Sequence, residues 1–380
     1  MKLKWMICIL FFSRVMHVWA QEEVLPIHRR GYMQAGIKIQ YWQQERVPYT
    51  SNQIVMPFSA LLLLSENISM SISHNPAYSW KNVDEGFFGF SDTWIQINSI
   101  LWQERLMLNF GLGLPTGKTR LDSTQFAITK ELSQSIYRYH VPLYGQGLTG
   151  RLGFAMAFKV AAPLIVGFGG QFLYRAPFHP VQYIYGQSVG LEKIYDKQFN
   201  PGEELSANAG LDLKLGEEMK LMLDIIYTHY WTDYLDNQVV FGAGDRISVN
   251  LGYFYRFANQ YVWAYLAYRQ RDKNSVLQGV SFMEEEISTG TYQLDFDIAW
   301  RAMRMRGGEI LFYGEARYYG PETGDDGPTH IYGGGLGVIY DIMERLKLEG
   351  QIRGFGGVSQ SVGERVVLGI YSYLGLKYEF

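Results

Sequence analysis

The sequence predicts an all-β fold, a transmembrane antiparallel up-and-down β-barrel of about 16 strands. Three observations support this prediction. Apolar and polar residues alternate along many long segments, short turns and long polar loops connect these segments in alternation, and the last segment alternates up to a terminal Phe380. Strands rarely run past ~10 residues in soluble sheets, whereas a tilted strand needs ~9–11 residues to cross a bilayer.

The alternation is clearest in two neighbouring segments. In residues 206–215, alanine and leucine alternate with polar residues that include Asp212 and Lys214. Residues 219–231 repeat the pattern, and only the short segment 216–218 separates the two runs. Two alternating runs joined by a short glycine-containing segment predict a β-hairpin.

The same pattern predicts sixteen strands along the chain. They are 32–42, 53–64, 67–73, 90–102, 105–114, 147–160, 164–176, 204–215, 219–231, 245–257, 261–272, 290–302, 308–319, 331–342, 346–356 and 366–379. The longer connections are 43–52, 74–89, 115–146, 177–203, 232–244, 273–289, 320–330 and 357–365. Short periplasmic turns and long extracellular loops are typical of outer-membrane barrels. A count of 14 strands is the alternative, because the segment 67–73 is short.

The N-terminus has the pattern of a secretory signal peptide. Lys2 and Lys4 precede a short apolar core, and small residues end at Ala20. We therefore expect residues 1–20 to be cleaved, 21–31 to form a short periplasmic segment and 32–380 to form one barrel in the cell outer membrane.

Composition excludes several functions. Without residues 1–20 the chain has 31 basic and 37 acidic residues, which argues against a nucleic-acid partner. The only cysteine, Cys8, lies in the signal peptide, and the histidines show no metal-ligand spacing. The stretch ending in Gly117-Lys118-Thr119 resembles a phosphate-binding loop, but the first glycine of that motif falls on Leu112. We predict no cofactor, no metal and no enzymatic activity.

Charged residues on the polar face of the predicted strands are expected to line the lumen. They include Lys38, Arg105, Arg151, Arg175, Arg246, Arg269, Asp295, Asp297, Arg317 and Arg353. One interpretation is a water-filled path with a mild preference for anions. The favoured interpretation is that opposite charges pair across neighbouring strands and stiffen the wall.

Two loops are candidates for narrowing the lumen. In general porins the third extracellular loop bends into the pore, and by similarity the loop 115–146 is the candidate constriction. The loop 177–203 is the competing candidate. The acidic segments 284–286 and 325–326 are interpreted as solvated loop segments.

The predicted outer surface carries two further signals. A strand that ends in phase with Leu376, Tyr378 and Phe380 resembles the signal by which the outer-membrane assembly machinery recognises its clients.

Outer-membrane lipid and lipopolysaccharide are the other expected partners. Aromatic residues near strand ends are predicted to ring the membrane interfaces: Tyr41, Trp42, Trp231, Tyr255, Tyr261, Trp263, Tyr318 and Tyr340.

One motif resembles a known family. The stretch from GFSDTW to LPTGK is similar to the G-x-x-D-T … P-T-G signature of the barrels associated with the MetA pathway of phenol degradation, which are loosely grouped with FadL-like transporters. The matching residues are Gly89, Asp92, Thr93, Pro115, Thr116 and Gly117. The resemblance implies a barrel that passes small hydrophobic or aromatic molecules, with these residues in structural roles. FadL proteins carry an N-terminal hatch, whereas only the 11 residues 21–31 are expected before the first strand here. A count of 14 strands would fit the resemblance better than 16.

These observations predict an outer-membrane channel or transporter for passive uptake of small molecules through a polar lumen. The alternative is a transporter of hydrophobic or aromatic compounds with a lumen closed by loops. A barrel that carries a hydrolase site is a third hypothesis. The sequence does not identify the solute.

Overall fold

The structure, a computed structural model, describes residues 31–45, 49–82, 86–179, 182–185, 193–196, 198–258, 260–278, 281–284, 292–305, 307–321, 327–359 and 365–380. The predicted signal peptide and nearly all of the predicted N-terminal segment lie outside the described residues. The acidic residues 285–286 and 325–326 lie outside them as well.

The described chain is mainly β-structure, with one α-helix. In chain order the elements are β1 (Gly31–Gln44), β2 (Tyr49–Val55), β3 (Phe58–Leu63), β4 (Ile68–His74), β5 (Pro76–Lys81), β6 (Phe87–Phe90), β7 (Thr93–Leu101), β8 (Leu106–Leu114), α1 (Ser123–Leu132), β9 (Thr149–Ala161), β10 (Leu164–Arg175), β11 (Gln182–Tyr185), β12 (Lys193–Asp196), β13 (Phe199–Asn200), β14 (Glu204–Leu215), β15 (Met219–Tyr230), β16 (Thr232–Leu235), β17 (Gln238–Gly242), β18 (Arg246–Phe257), β19 (Gln260–Arg271), β20 (Ser275–Gln278), β21 (Ser281–Glu284), β22 (Tyr292–Met305), β23 (Gly308–Tyr319), β24 (Thr329–Met343), β25 (Leu346–Ser359) and β26 (Arg365–Glu379).

Sixteen antiparallel strand paths close into one barrel, as the sequence predicts. Three paths are interrupted and consist of β2 with β3, β4 with β5, and β6 with β7. The last strand pairs with the first from Tyr32 opposite Glu379 to Gln44 opposite Val367, which closes the sheet. Closure is required in a bilayer, because an open edge would leave backbone groups without hydrogen-bond partners.

The two ends of the barrel differ in their connections. Tight turns at one end, which we call the turn rim, include 102–105, 162–163 and 216–218. At the other end, the loop rim, the longer connections include 115–148 and 176–203, and the loop strands β13, β16, β17, β20 and β21 form a small sheet of their own. Gly216 has a φ of +74° in its turn, a conformation that glycine adopts at little cost.

The prediction that residues 74–89 form a loop is wrong for most of this segment. The strand β4 continues after Asn75 as β5, which pairs with β2 and β6. Pro76 and Gly86 interrupt the sequence pattern, so alternation alone did not reveal these short strands. The first loop is also shorter than predicted, because β1 reaches Gln44 and β2 begins at Tyr49.

Apolar side chains face outward around the barrel. On β8, Leu108 and Phe110 are exposed, whereas Gly111 and Gly113 are buried on the inner side. On the last strand, Leu376 and Tyr378 are exposed in the same way. Among the described residues, no helix is both long enough and apolar enough to cross a membrane.

The aromatic prediction is wrong for three residues. Trp42 is only 3% exposed, because it points inward and packs against Tyr137 and Phe355. Tyr261 and Trp263 also lie on the inner face, where they line the cavity. Proximity to a strand end does not fix the side of the sheet, which depends on the parity of the position.

Three neighbouring strand paths are interrupted at the same level of the wall. The interruptions lie at Pro57, at Asn75 and at Ser91 with Asp92. Backbone hydrogen bonds still cross the first two gaps, from Met56 N to the Pro76 carbonyl and from Ser91 N to the Asn75 carbonyl. Between β6 and β7 the chain has one residue more than its neighbour, so it forms a bulge that points Asp92 inward.

The inside–outside assignment is testable with a pair of adjacent substitutions on β14. Ala209 is exposed on the outer face, and Asn208 lines the cavity. We expect Ala209→Arg to lower the free energy of unfolding by about 2–4 kcal/mol, since it places a charge in lipid near mid-strand. Asn208→Arg should have a much smaller effect. Denaturant unfolding of the refolded barrel in phospholipid vesicles measures both, and equal effects would contradict the assignment.

Candidate functional site

The third long loop, residues 115–148, folds into the barrel. We call it the inward loop. It contains α1, which begins with a capping box in which Asp122 and Gln125 each accept from the other's backbone N–H. The segment after α1 is packed against the wall, with Tyr137, Tyr139, Val141 and Tyr144 buried. The predicted inward fold of this loop is confirmed.

Two glutamines of the wall hold the backbone of the inward loop. Gln53, which is fully buried, donates to the Val141 carbonyl at 2.8 Å and accepts from Val141 N at 3.0 Å. Gln40 donates to the Arg138 carbonyl at 3.0 Å and accepts from His140 N at 2.8 Å. A buried irregular segment would otherwise carry unpaired backbone groups, each at a cost of about 1–3 kcal/mol.

A cluster of charges holds the same segment. Arg138 forms ion pairs with Asp295 and with Glu315, the latter at 2.9 Å. Arg317 also binds Glu315 and donates to the Ile136 carbonyl at 2.9 Å. Both carboxylates are almost completely buried, so removing a partner would leave a buried charge, which costs about 3–5 kcal/mol.

His140 connects the loop to a second residue of β1 and to the interruption between β4 and β5. Lys38 Nζ lies 3.1 Å from His140 Nδ1, and His140 Nε2 lies 3.2 Å from Asn75 Oδ1. An ammonium group only donates, so Nδ1 must accept, and Nε2 then carries the proton and donates to Asn75. The neutral imidazole of His140 therefore bridges β1 and the interruption between β4 and β5.

Asp92 clamps both ends of the inward loop. Its Oδ1 accepts from Gly117 N at 2.9 Å, and its Oδ2 accepts from Gln146 N at 2.6 Å. Thr93 N donates to Thr116 Oγ1 at 2.9 Å, directly after Pro115. Two hydrogen bonds to one carboxylate are strong because the acceptor is charged.

Two glycines of the same motif make room for Tyr144. A Cβ on Gly89 would collide with the ring of Tyr144, and a Cβ on Gly117 would collide with its carbonyl oxygen. The hydroxyl of Tyr144 donates to Ser79 at 2.6 Å. Burial raises the pKa of Tyr144 to about 12, so this donor keeps its proton at neutral pH. The six motif residues therefore meet at the base of the inward loop.

The described residues of the barrel enclose a cavity of about 2350 Å³, which is lined by residues near both rims. Most predicted lumen residues line it, namely Lys38, Arg151, Arg175, Arg246, Arg269, Asp295, Asp297 and Arg353. Arg317 instead lines a small pocket under the inward loop, which shares Lys38, Arg138 and Arg353 with the main cavity. Arg105 is exposed in the turn at 102–105, because β8 begins only at Leu106, and its placement on the wall is a correction to the sequence prediction.

Many of the inward charges are paired. Lys220 lies 2.8 Å from Asp212, Arg301 lies 2.7 Å from Glu309, and Arg175 pairs with Glu204. Of the described residues that line the cavity, however, 13 are lysine or arginine and 8 are aspartate or glutamate. The described residues of the inward loop that face the cavity include Lys130 and Arg138 and no acidic residue.

Sequence reasoning missed the residues that anchor the loop. Arg138, Gln40 and Gln53 have partners on elements far away in the chain, and nothing in their local sequence indicates those partners. In the described ranges, no group of three or more His, Cys, Asp or Glu residues is arranged to hold a metal ion.

Comparisons with known proteins show the fold. The similar solved structures include a bacterial polysaccharide outer membrane secretin, with 12% identity, a TM-score of 0.50 and coverage of 93% of this chain and 100% of that chain. Another is Pseudomonas putida OprB, with 9% identity, a TM-score of 0.50 and coverage of 92% and 94%. Identities this low establish an outer-membrane porin-like barrel fold alone. No family model matches the chain, and no curated protein matches its sequence.

The hydrogen bonds of Asp92 to the inward loop can be tested by proteolysis of that loop. Asp92→Ala removes two charged hydrogen bonds, so trypsin should cleave the loop at Lys130 and Arg138 about tenfold faster or more, because cleavage follows the open population. Asp92→Asn keeps one acceptor and should give an intermediate rate. Gel analysis of timed digests of the refolded protein measures the rates, and an unchanged rate in Asp92→Ala would contradict the clamp.

Proposed function

We propose that this protein is an outer-membrane channel for the passive uptake of small polar solutes, with a preference for anions. The observation that carries the proposal is the cavity that extends between the two rims and has more basic than acidic residues in its lining. A barrel of about 16 strands is wide enough for an aqueous path even after a loop has folded inside.

The orientation follows from the two rims. In barrels of this kind the short turns face the periplasm and the long loops face the exterior. The loop rim is then the entrance, the outward apolar belt contacts lipid, and lipopolysaccharide surrounds the loop rim. Residues Leu376, Tyr378 and Phe380 at the end of β26 are the proposed signal for the assembly machinery.

The inward loop is the proposed constriction. It occupies the side of the lumen formed by β1, β2, β22 and β23, where Gln40, Gln53, Arg138 and Arg317 fix its position. Solutes would pass between the loop and the opposite wall, β9 to β19. That wall carries Arg151, Arg175, Arg246, Arg269 and Arg271.

The excess of basic side chains supplies the preference for anions. Charges of one sign in a narrow aqueous path raise the local concentration of the opposite ion. Pairing on the wall reduces this field and does not remove it, because the basic residues in the described lining of the cavity outnumber the acidic ones.

Ion selectivity tests this function directly. Planar bilayers that hold the purified protein between unequal KCl solutions should show discrete conductance steps and a reversal potential that indicates chloride over potassium. Arg151→Glu should lower the chloride preference, since Arg151 lines the cavity. Lys159→Glu, the same charge change at the turn-rim end of the same strand and outside the cavity lining, should lower it much less. Sealed bilayers or cation preference in the native protein would contradict the proposal.

A second candidate is a transporter of hydrophobic or aromatic compounds, as the resemblance to the MetA and FadL-like barrels implies. The observation that favours it is the interruption of three neighbouring strands at Pro57, Asn75 and Ser91, where the regular ladder of the wall is broken. A disulfide between Ile54→Cys and Tyr78→Cys, which pair across β2 and β5, would lock the wall beside this interruption.

The two functions give opposite results with this locked barrel. The channel should conduct KCl equally well before and after reduction of the disulfide. The second candidate predicts that uptake of an aromatic compound into vesicles rises on reduction. Single-cysteine variants control for the substitutions themselves.

A further inference from the structure

Two arginines at the loop rim lie directly opposite each other on neighbouring strands of the wall. Arg246 on β18 and Arg271 on β19 are Cα partners, and both line the cavity. Like charges directly opposite each other in a sheet are destabilising. Such a pair therefore needs a compensating interaction.

No carboxylate among the described residues compensates this pair with an ion pair. The neighbouring Asp245 lies on the other face of the sheet, where it accepts from His229 at 2.9 Å and from Tyr227. Asp295 is engaged by Arg138 and by Arg269, the latter at 2.9 Å.

A single aromatic ring supports both side chains. The guanidinium carbons of Arg246 and Arg271 lie 5.7 and 5.3 Å from the centroid of the Tyr230 ring, within the range of cation–π attraction. This attraction engages the planar groups without using their N–H donors. Arg246 Nε is buried and has no hydrogen-bond partner among the described residues.

The arrangement is that of an oxyanion site. Each guanidinium presents five N–H donors in a plane, a geometry that matches carboxylate and phosphate oxygens. Two such groups held against one ring are pre-organised, so little side-chain entropy remains to be lost on binding. An oxyanion between them would also remove the repulsion between the two arginines.

We propose that Arg246, Arg271 and Tyr230 form an entry site for solutes that carry a carboxylate or phosphate group. The inference rests on the proposed channel function and names the solute class that its loop-rim entrance selects. The site lies in a wide aqueous cavity, so binding is weak enough for the solute to leave toward the turn rim, as conduction requires.

Block of the chloride current by inorganic phosphate tests the site. Phosphate added on the loop-rim side of single channels in KCl should reduce the current in a saturable way. Arg246→Gln and Arg271→Gln should each raise the half-blocking concentration by about tenfold, the worth of a hydrogen bond to a charged group. Tyr230→Leu should raise it less, and Tyr230→Phe, which keeps the ring, should not change it.

A matched control separates the site from general charge. Arg256 lines the same cavity at the turn-rim end of β18, so Arg256→Gln removes one charge from the same strand. It should leave the block by phosphate unchanged. An equal loss of block in Arg256→Gln and Arg246→Gln would overturn the site in favour of a diffuse field.

Failure of the site and failure of the channel give different results. If KCl conductance and chloride preference are present but phosphate does not block, the site is wrong and the channel stands. If bilayers stay sealed, calorimetric titration of phosphate into the folded protein in detergent tests the site alone. Binding that is lost in Arg246→Gln supports it, and the absence of binding to the native protein overturns it.

Discussion

The placement of an irregular loop inside a barrel is the constraint on which the lumen depends. Backbone N–H and C=O groups of such a loop lose water, and the sheet offers them no ladder positions, so side chains must supply the partners. Gln40 and Gln53 each provide a donor and an acceptor to one short stretch of the inward loop. The wall on that side consequently holds the loop, and the opposite wall lines the remaining cavity.

The distribution of charge in the lumen follows from the same division between the wall that holds the loop and the opposite wall. On the wall that holds the loop, Arg138 forms ion pairs with Asp295 and Glu315, so these acidic residues bind the loop. Acids that are paired in this way contribute little negative potential to the path. The arginines of β9 to β19 face the remaining space, and the two sides together give the cavity its basic excess.

The sequence predicted the barrel because strand physics is local. Alternation with period two reports which face of each strand is apolar, and this signal gave all sixteen strand paths. It failed where strands are short, as at β5 and β6, because Pro76 and Gly86 interrupt the alternation there. It also misplaced Trp42, whose inward side depends on the phase of β1 and on a loop about a hundred residues later.

The site was predictable only in part. The motif from Gly89 to Gly117 marked residues that the structure brings together at Asp92, although its spacing did not show that they clamp a loop. The pairing of Arg246 with Arg271 depends on the register between β18 and β19, which turn geometry fixes and composition does not reveal. Distant partners such as Gln53 and Val141 leave no local signal at all.

We propose that the inward loop leaves an open lumen whose free wall attracts anions. The most direct measurement is anomalous diffraction from crystals of the protein soaked in bromide and, separately, in rubidium. We expect bromide sites inside the lumen along β9 to β19, with the inward loop on the opposite wall. Rubidium in place of bromide on that wall, or a lumen filled by detergent or lipid, would contradict it.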